Sequence, residues 1–289
     1  ALLFTVMAFN APLATVVATL PVPIAFGNGA GAPVIFIAGA AIMALLAVGF
    51  LKMSPFITNS GGFYVYVTAG LGKAVGLGAS FLAQGSYFVL LLGSLTFSGY
   101  SLNTFVTGLG GPEVPWWAYS FLQVLIVGIL GYVRVDVSAK VLTVLLLGEV
   151  AVVLAYNFFV MLAGGASGLD AASSLDLTNI FSGNLGIALL VGVTCMGGFE
   201  ATVIFREEVR EPKKTIPRAT FIFILITGLF YGLTSWSMIQ AVGSTTAQET
   251  YGADPAGTTL ATMETYLGRV RHYLVVVMLI TSTLAANLA

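Results

Sequence analysis

The sequence is short of charge, cysteine and histidine, and each shortage removes a class of function. Only 8% of its 289 residues are charged, where soluble domains carry roughly 25%. The net charge is −1 with no basic run, so nucleic acid is not an expected partner. Cys195 is the single cysteine, which excludes an internal disulfide and a cysteine cluster for metal. His272 is the single histidine, so no metal site and no resident cofactor are expected. A phosphate-binding loop fails as well: Gly72-Lys73 is followed by Ala74, and Val67 stands where such a loop needs glycine. No nucleophile–base pair is spaced for chemistry, so the chain does not read as an enzyme.

What is present is hydrophobicity. Apolar residues make up 58% of the chain and mean hydropathy is +0.99, the signature of a polytopic membrane protein. A helical span needs about 20 apolar residues. Eight runs qualify: 1–26, 33–54, 75–106, 116–133, 135–163, 184–209, 216–242 and 270–289. The runs are too long and the connections too short for barrel strands, so the predicted fold is all-α. Both ends of the chain lie inside apolar runs, which reads as part of a longer protein.

Two runs are interrupted. The first holds Asn10-Ala11-Pro12-Leu13-Ala14, and proline removes a backbone donor and clashes with the preceding turn. The sixth holds Thr194-Cys195-Met196-Gly197-Gly198-Phe199, then the carboxylate of Glu200. Alone, Pro12 is equally an ordinary kink. Paired interruptions five spans apart point to a binding site near the midplane, because unwound backbone at that depth survives only where it lines protein or a wet cavity. The pattern predicts residues 10–14 and 195–199 to be non-helical neighbours. In the third run, Gln84 and Tyr87 either face that cavity or satisfy each other.

Glu149 is a charge deep within an apolar run. It lies 15 residues beyond Arg134, roughly 22 Å along a helix. An ionised carboxylate in hydrocarbon is costly, so it faces a cavity or a partner. It is a candidate coupling residue, or a protonated carboxyl kept for packing. Ser282 and Thr283 in the last run carry hydroxyls suited to the same pocket.

The remaining segments are interfacial. Residues 59–73, with Phe63, Tyr64 and Tyr66, read as a short amphipathic helix on the membrane face, and Trp116-Trp117 as belt residues. Asp254-Pro255 is a helix start, with aspartate as cap and proline at the first helical position; that helix serves as a lid or as loop packing. The loop after the sixth run, with Glu207, Glu208 and Arg210 and bounded by Pro212 and Pro217, reads either as a solvated loop or as a gate. In the gate, Glu207 or Glu208 pairs with Lys73 or Arg134. With the loop after the second run inside, Lys52, Lys73, Arg134, Lys140, Arg206, Arg210, Lys213, Lys214 and Arg218 are internal, nine of the eleven basic residues. That asymmetry places the N-terminal side in the cytoplasm, in a plasma (inner) membrane.

With these pieces assembled the chain resembles the amino acid–polyamine–organocation (APC) permeases. The residues carrying the resemblance are Gly198-Phe199-Glu200, Glu207-Glu208, Pro212-Lys213-Lys214 and Ile216-Pro217-Arg218-Ala219. Ala11-Pro12-Leu13, Ser60-Gly61-Gly62 with Tyr64 and Tyr66, and Ser282-Thr283-Leu284-Ala285-Ala286 look like family segments too. The resemblance implies a five-plus-five inverted repeat, here truncated after about the eighth helix. Residues 1–163 would form the first repeat and 184–289 part of the second. It further implies secondary transport of amino acids or related amines by alternating access, proton-coupled or as an exchanger, with H+ or Na+ as coupling ion. Residues 10–14 and 194–199, with Gln84 and Tyr87, would bind substrate; Glu149, Ser282 and Thr283 would couple; Glu200, Glu207 and Glu208 would gate. Many members carry a Gly-Ser-Gly-type run at the first break. Pro12 replaces one amide there, which favours an amine or other organic cation. A channel, for which no filter sequence or polar stripe is present, and a non-transporting truncated relative are the alternatives.

Overall fold

A computed structural model describes residues 11–57, 62–133, 139–200, 202 and 211–288. Its helices follow the apolar runs. They are α1 (Pro12–Ala18), α2 (Ala32–Met53), α3 (Phe63–Leu71), α4 (Lys73–Gly108), α5 (Trp116–Tyr132), α6 (Ala139–Ala163) and α7 (Ala171–Leu175). Then come α8 (Leu177–Ile180), α9 (Leu185–Thr194), α10 (Pro212–Val242), α11 (Ala247–Ala253), α12 (Pro255–Leu267) and α13 (Arg269–Leu288). A π-helical turn at Pro23–Gly27 and a 3₁₀ turn at Gly29–Gly31 carry the chain from α1 to α2.

Each of the eight apolar runs contributes one apolar helical segment. Gly29–Met53, Lys73–Gly108, Thr143–Ala163 and Pro212–Val242 are long and apolar enough to cross a membrane by length and composition. Pro12–Gly27, Trp116–Ile129, Leu185–Thr194 and Tyr273–Leu284 are shorter apolar segments. α4 leaves Leu77, Phe81, Leu82 and Phe88 exposed, an apolar face suited to a bilayer, whereas most of the apolar stretch of α10 is buried within the bundle.

Small residues let the central helices touch. In α10, Gly228 and Gly232 lie four apart and face α2. A Cβ on Gly228 would stand 2.5 Å from the Ala40 Cβ, and one on Gly232 would stand 3.2 Å from the Pro33 carbonyl. In α9, Gly192 meets Gly39 of α2 backbone to backbone, 2.6 Å from where a Gly39 Cβ would sit. Without a hydrophobic drive between helices in lipid, such close approach is what holds them.

One end of the bundle is closed by short capped helices. Asp170 and Asp176 cap α7 and α8, Asn184 caps α9, and Asp254 caps α12 through the Gly257 amide at 2.9 Å. The Asn184 amide donates to the Gly27 carbonyl at 3.0 Å, and α11 packs on the Pro23–Gly27 turn.

Two boundaries differ from the sequence reading. Residues 12–14 are helical: Pro12 occupies the first position of α1, where its missing donor costs nothing. Pro212 likewise opens α10, and Pro217, expected to bound the loop, lies inside that helix.

Candidate functional site

Of the described residues in the first predicted break, Ala11 alone lies outside a helix. Its φ of 40° and ψ of 69° put it in the left-handed region, and it is the one non-glycine residue there among those described. Holding alanine in that region costs about 1–2 kcal/mol. The turn it makes starts α1 at Pro12, so Leu13 supplies the first amide of the helix. That amide donates to Oε2 of Glu149 at 3.2 Å, a buried contact across 136 residues. The Ser282 hydroxyl of α13 hydrogen-bonds the same carboxylate. A helix N-terminus favours a carboxylate, so α6 and α13 together cap α1 from outside its own sequence. Thr283, the next residue of α13, turns the other way and shares a hydrogen bond of 2.7 Å with Ser98 of α4. Glu149, Ser282 and Thr283 are all buried.

The second break begins where α9 ends at Thr194. The hydrogen-bond pattern tightens: the Met196 amide reaches the Val193 carbonyl at 3.1 Å and the Gly197 amide reaches Thr194 at 2.9 Å. Gly198 then turns with φ 96°, open to glycine and unfavourable for other residues. Its amide donates to Oε2 of Glu200 at 2.9 Å, and the Tyr87 hydroxyl donates to Oε1 of the same side chain at 3.0 Å. Tyr87 thus meets Glu200, while Gln84 is exposed on α4 and Thr194 is exposed with its hydroxyl on the Leu190 carbonyl. Cys195, Met196 and Phe199 are buried in the core. Asn10, Glu207, Glu208 and Arg134 lie outside the described residues, so the carboxylate gate proposed for that loop falls there as well.

Tyr231 of α10 joins the two breaks and was missed by sequence reasoning. Its hydroxyl hydrogen-bonds the Thr15 side chain and lies within electrostatic reach of the Cys195 thiol and the Glu149 carboxyl. The signal was available: a tyrosine between Gly228 and Gly232 must bury its ring in a helix contact and find a partner for its hydroxyl. Beside it is a crevice of about 30 Å³ lined by Pro12, Val150, Phe223, Thr227 and Tyr231. It has room for about one water, not for an amino acid.

Among the described residues, an all-helical bundle with four helices long and apolar enough to cross a membrane, and a carboxylate bonded at each of two backbone turns, is the architecture of a polytopic membrane protein. The family model described as amino acid permease matches residues 11–289, and the chain belongs to that family.

Proposed function

We propose that the chain moves an amino acid or a related amine across the membrane by alternating access at the two breaks, with Glu149 as the coupling residue. The observation carrying this reading is the Glu149 carboxylate on the Leu13 amide. It ties α6 directly to the first break, so loading the carboxylate with a proton or a sodium ion changes the hold on α1. The engaged Leu13 amide and the donor-less Pro12 leave few amides there for a substrate carboxylate. That favours a substrate recognised through its ammonium, since carbonyls freed at helix breaks attract cations. Residues 1–163 and 184–289 belong to the two inverted repeats, with the N-terminal side and the lysine-rich loops in the cytoplasm and the whole in a plasma (inner) membrane.

The test is Glu149→Gln in proteoliposomes with an imposed pH or sodium gradient. Gradient-driven accumulation disappears while substrate exchange persists. Accumulation at the wild-type level removes Glu149 from coupling.

A further inference from the structure

At the end of the bundle away from the capped helices, α3 folds back on α4 around Gly72. Thr68 sits so close to Gly76 that a Cβ there would lie 2.8 Å from the Thr68 Cα. The inward face of α3 enters an aromatic stack with the end of α2. Phe50 lies 4.9 Å from Phe63 and 4.5 Å from Tyr66 between ring centroids, and both Phe50 and Phe63 pack edge-on against Phe199, at 5.8 and 5.7 Å. Phe199 belongs to the second break. The position of α3 is therefore mechanically tied to that break.

The rim around α3 has a different chemistry. Phe56, in the connection from α2, is 87% exposed, Leu71 is 68% exposed and Tyr64 is 40% exposed. Lys52 in the last turn of α2 and Lys73 at the start of α4 flank this apolar strip, both exposed. Neither makes an ion pair or hydrogen bond with a described residue. Two cations without a partner among the described residues, set beside exposed aromatic and aliphatic side chains, complement an anionic phosphate attached to an acyl chain. A water-soluble anion would leave the apolar strip uncovered, and an acidic protein surface would leave it facing charge.

We infer that this rim is an anionic-phospholipid site: Lys52 and Lys73 hold the headgroup phosphates, Phe56, Tyr64 and Leu71 enter the acyl boundary, and occupancy presses α3 onto the Phe50–Phe199 stack to keep the second break closed. Amphipathic segments with cations at the interface bind anionic leaflets in this way. The site regulates the bundle from its membrane face and does not depend on which substrate is carried.

The experiment reconstitutes the chain in phosphatidylcholine vesicles with and without phosphatidylglycerol. Cys195, buried at the second break and the chain's single cysteine, reports opening through its alkylation by a membrane-permeant maleimide. Alkylation is several-fold slower when phosphatidylglycerol is present. Lys52→Gln and Lys73→Gln each reduce phosphatidylglycerol retained in native mass spectrometry about five-fold, the equivalent of about 1 kcal/mol per cation near an anionic surface. The double variant alkylates at one rate in both vesicles, whereas Lys213→Gln, a cation at the start of α10, keeps the wild-type difference. Equal rates for the wild-type chain in the two vesicles overturn the proposal, as does unchanged lipid retention in the double variant. Slowing of alkylation by glycerol phosphate in neutral vesicles also overturns it, since the site would then be one for free phosphate.

Discussion

The two breaks solve one problem with the same group placed differently. At the first, a carboxylate arrives from a helix 136 residues away and the contact is buried. At the second, Glu200 reaches back two residues to the Gly198 amide, with the half-exposed Tyr87 as its other donor. A long-range buried bond is lost only if helices separate, and its loss strands polar groups in a dry interior. A local exposed bond can open and close with little else moving. The first break is thereby a joint between helices and the second a latch, and variants at each should differ accordingly.

The largest effect is expected at the joint. Glu149→Ala strands the Leu13 amide and the Ser282 hydroxyl in the interior, and an unsatisfied buried donor costs roughly 1–3 kcal/mol. A loss of about 3 kcal/mol in reversible unfolding in mixed micelles is expected, against under about 1 kcal/mol for Glu149→Gln, which keeps an acceptor in place. Equal losses would mean that the carboxylate fills space and holds no joint.

Asp170 extends the comparison to a carboxylate outside the membrane. It accepts the Ser173 amide at 3.0 Å and the Ser244 hydroxyl at 2.9 Å, while its own backbone amide and carbonyl are clasped by the Gln240 side chain at 2.7 and 3.0 Å. The Ser173 amide, then the Ser244 hydroxyl, hold its carboxyl below the usual carboxylate range. A depressed folded value means that the contribution is complete above the unfolded value of about 3.9 and is lost as pH falls through the folded one. Protection of residues 166–173 against hydrogen exchange, taken relative to the intrinsic rate at each pH, should therefore fall below about pH 4. In Asp170→Asn that protection should no longer respond to pH in the same window. An unchanged acid response in the variant would assign it to another group.

The contrast also marks how far the sequence could be read. The eight apolar runs give the helices because hydrophobic length needs no tertiary information. The breaks at Ala11 and Gly198 are legible because proline and paired glycines act locally. What each break bonds to is a matter of packing. Glu149 stands out as a lone charge, but that its partner is the Leu13 amide follows only once α6 crosses α1. Pro12 was read as a breaker and Pro212 as the edge of a loop, and both act as helix starts, because proline marks both events and the preceding residue's backbone decides between them. Tyr231 went unremarked because an aromatic in an apolar span is ordinary until its hydroxyl meets Thr15.

The smallest effect, and the sharpest test of the latch, belongs to Tyr87. Its hydroxyl bonds an acceptor that is itself half-exposed, so water competes for both ends. Such bonds contribute about 0.5–1 kcal/mol, and Tyr87→Phe should lower unfolding stability by no more than that. The informative quantity is the coupling with Glu200. In a double-mutant cycle of Tyr87→Phe and Glu200→Gln, two sites sharing one bond show an interaction of at least about 0.5 kcal/mol, where independent sites add within about 0.3–0.5 kcal/mol. The same cycle read by alkylation of Cys195 separates a latch from a surface contact. If the bond holds the second break, each single variant speeds alkylation and the double adds little to either. If both singles alkylate at the wild-type rate, the Tyr87–Glu200 bond decorates the break without holding it, and closure rests on the Phe50–Phe63–Phe199 stack alone.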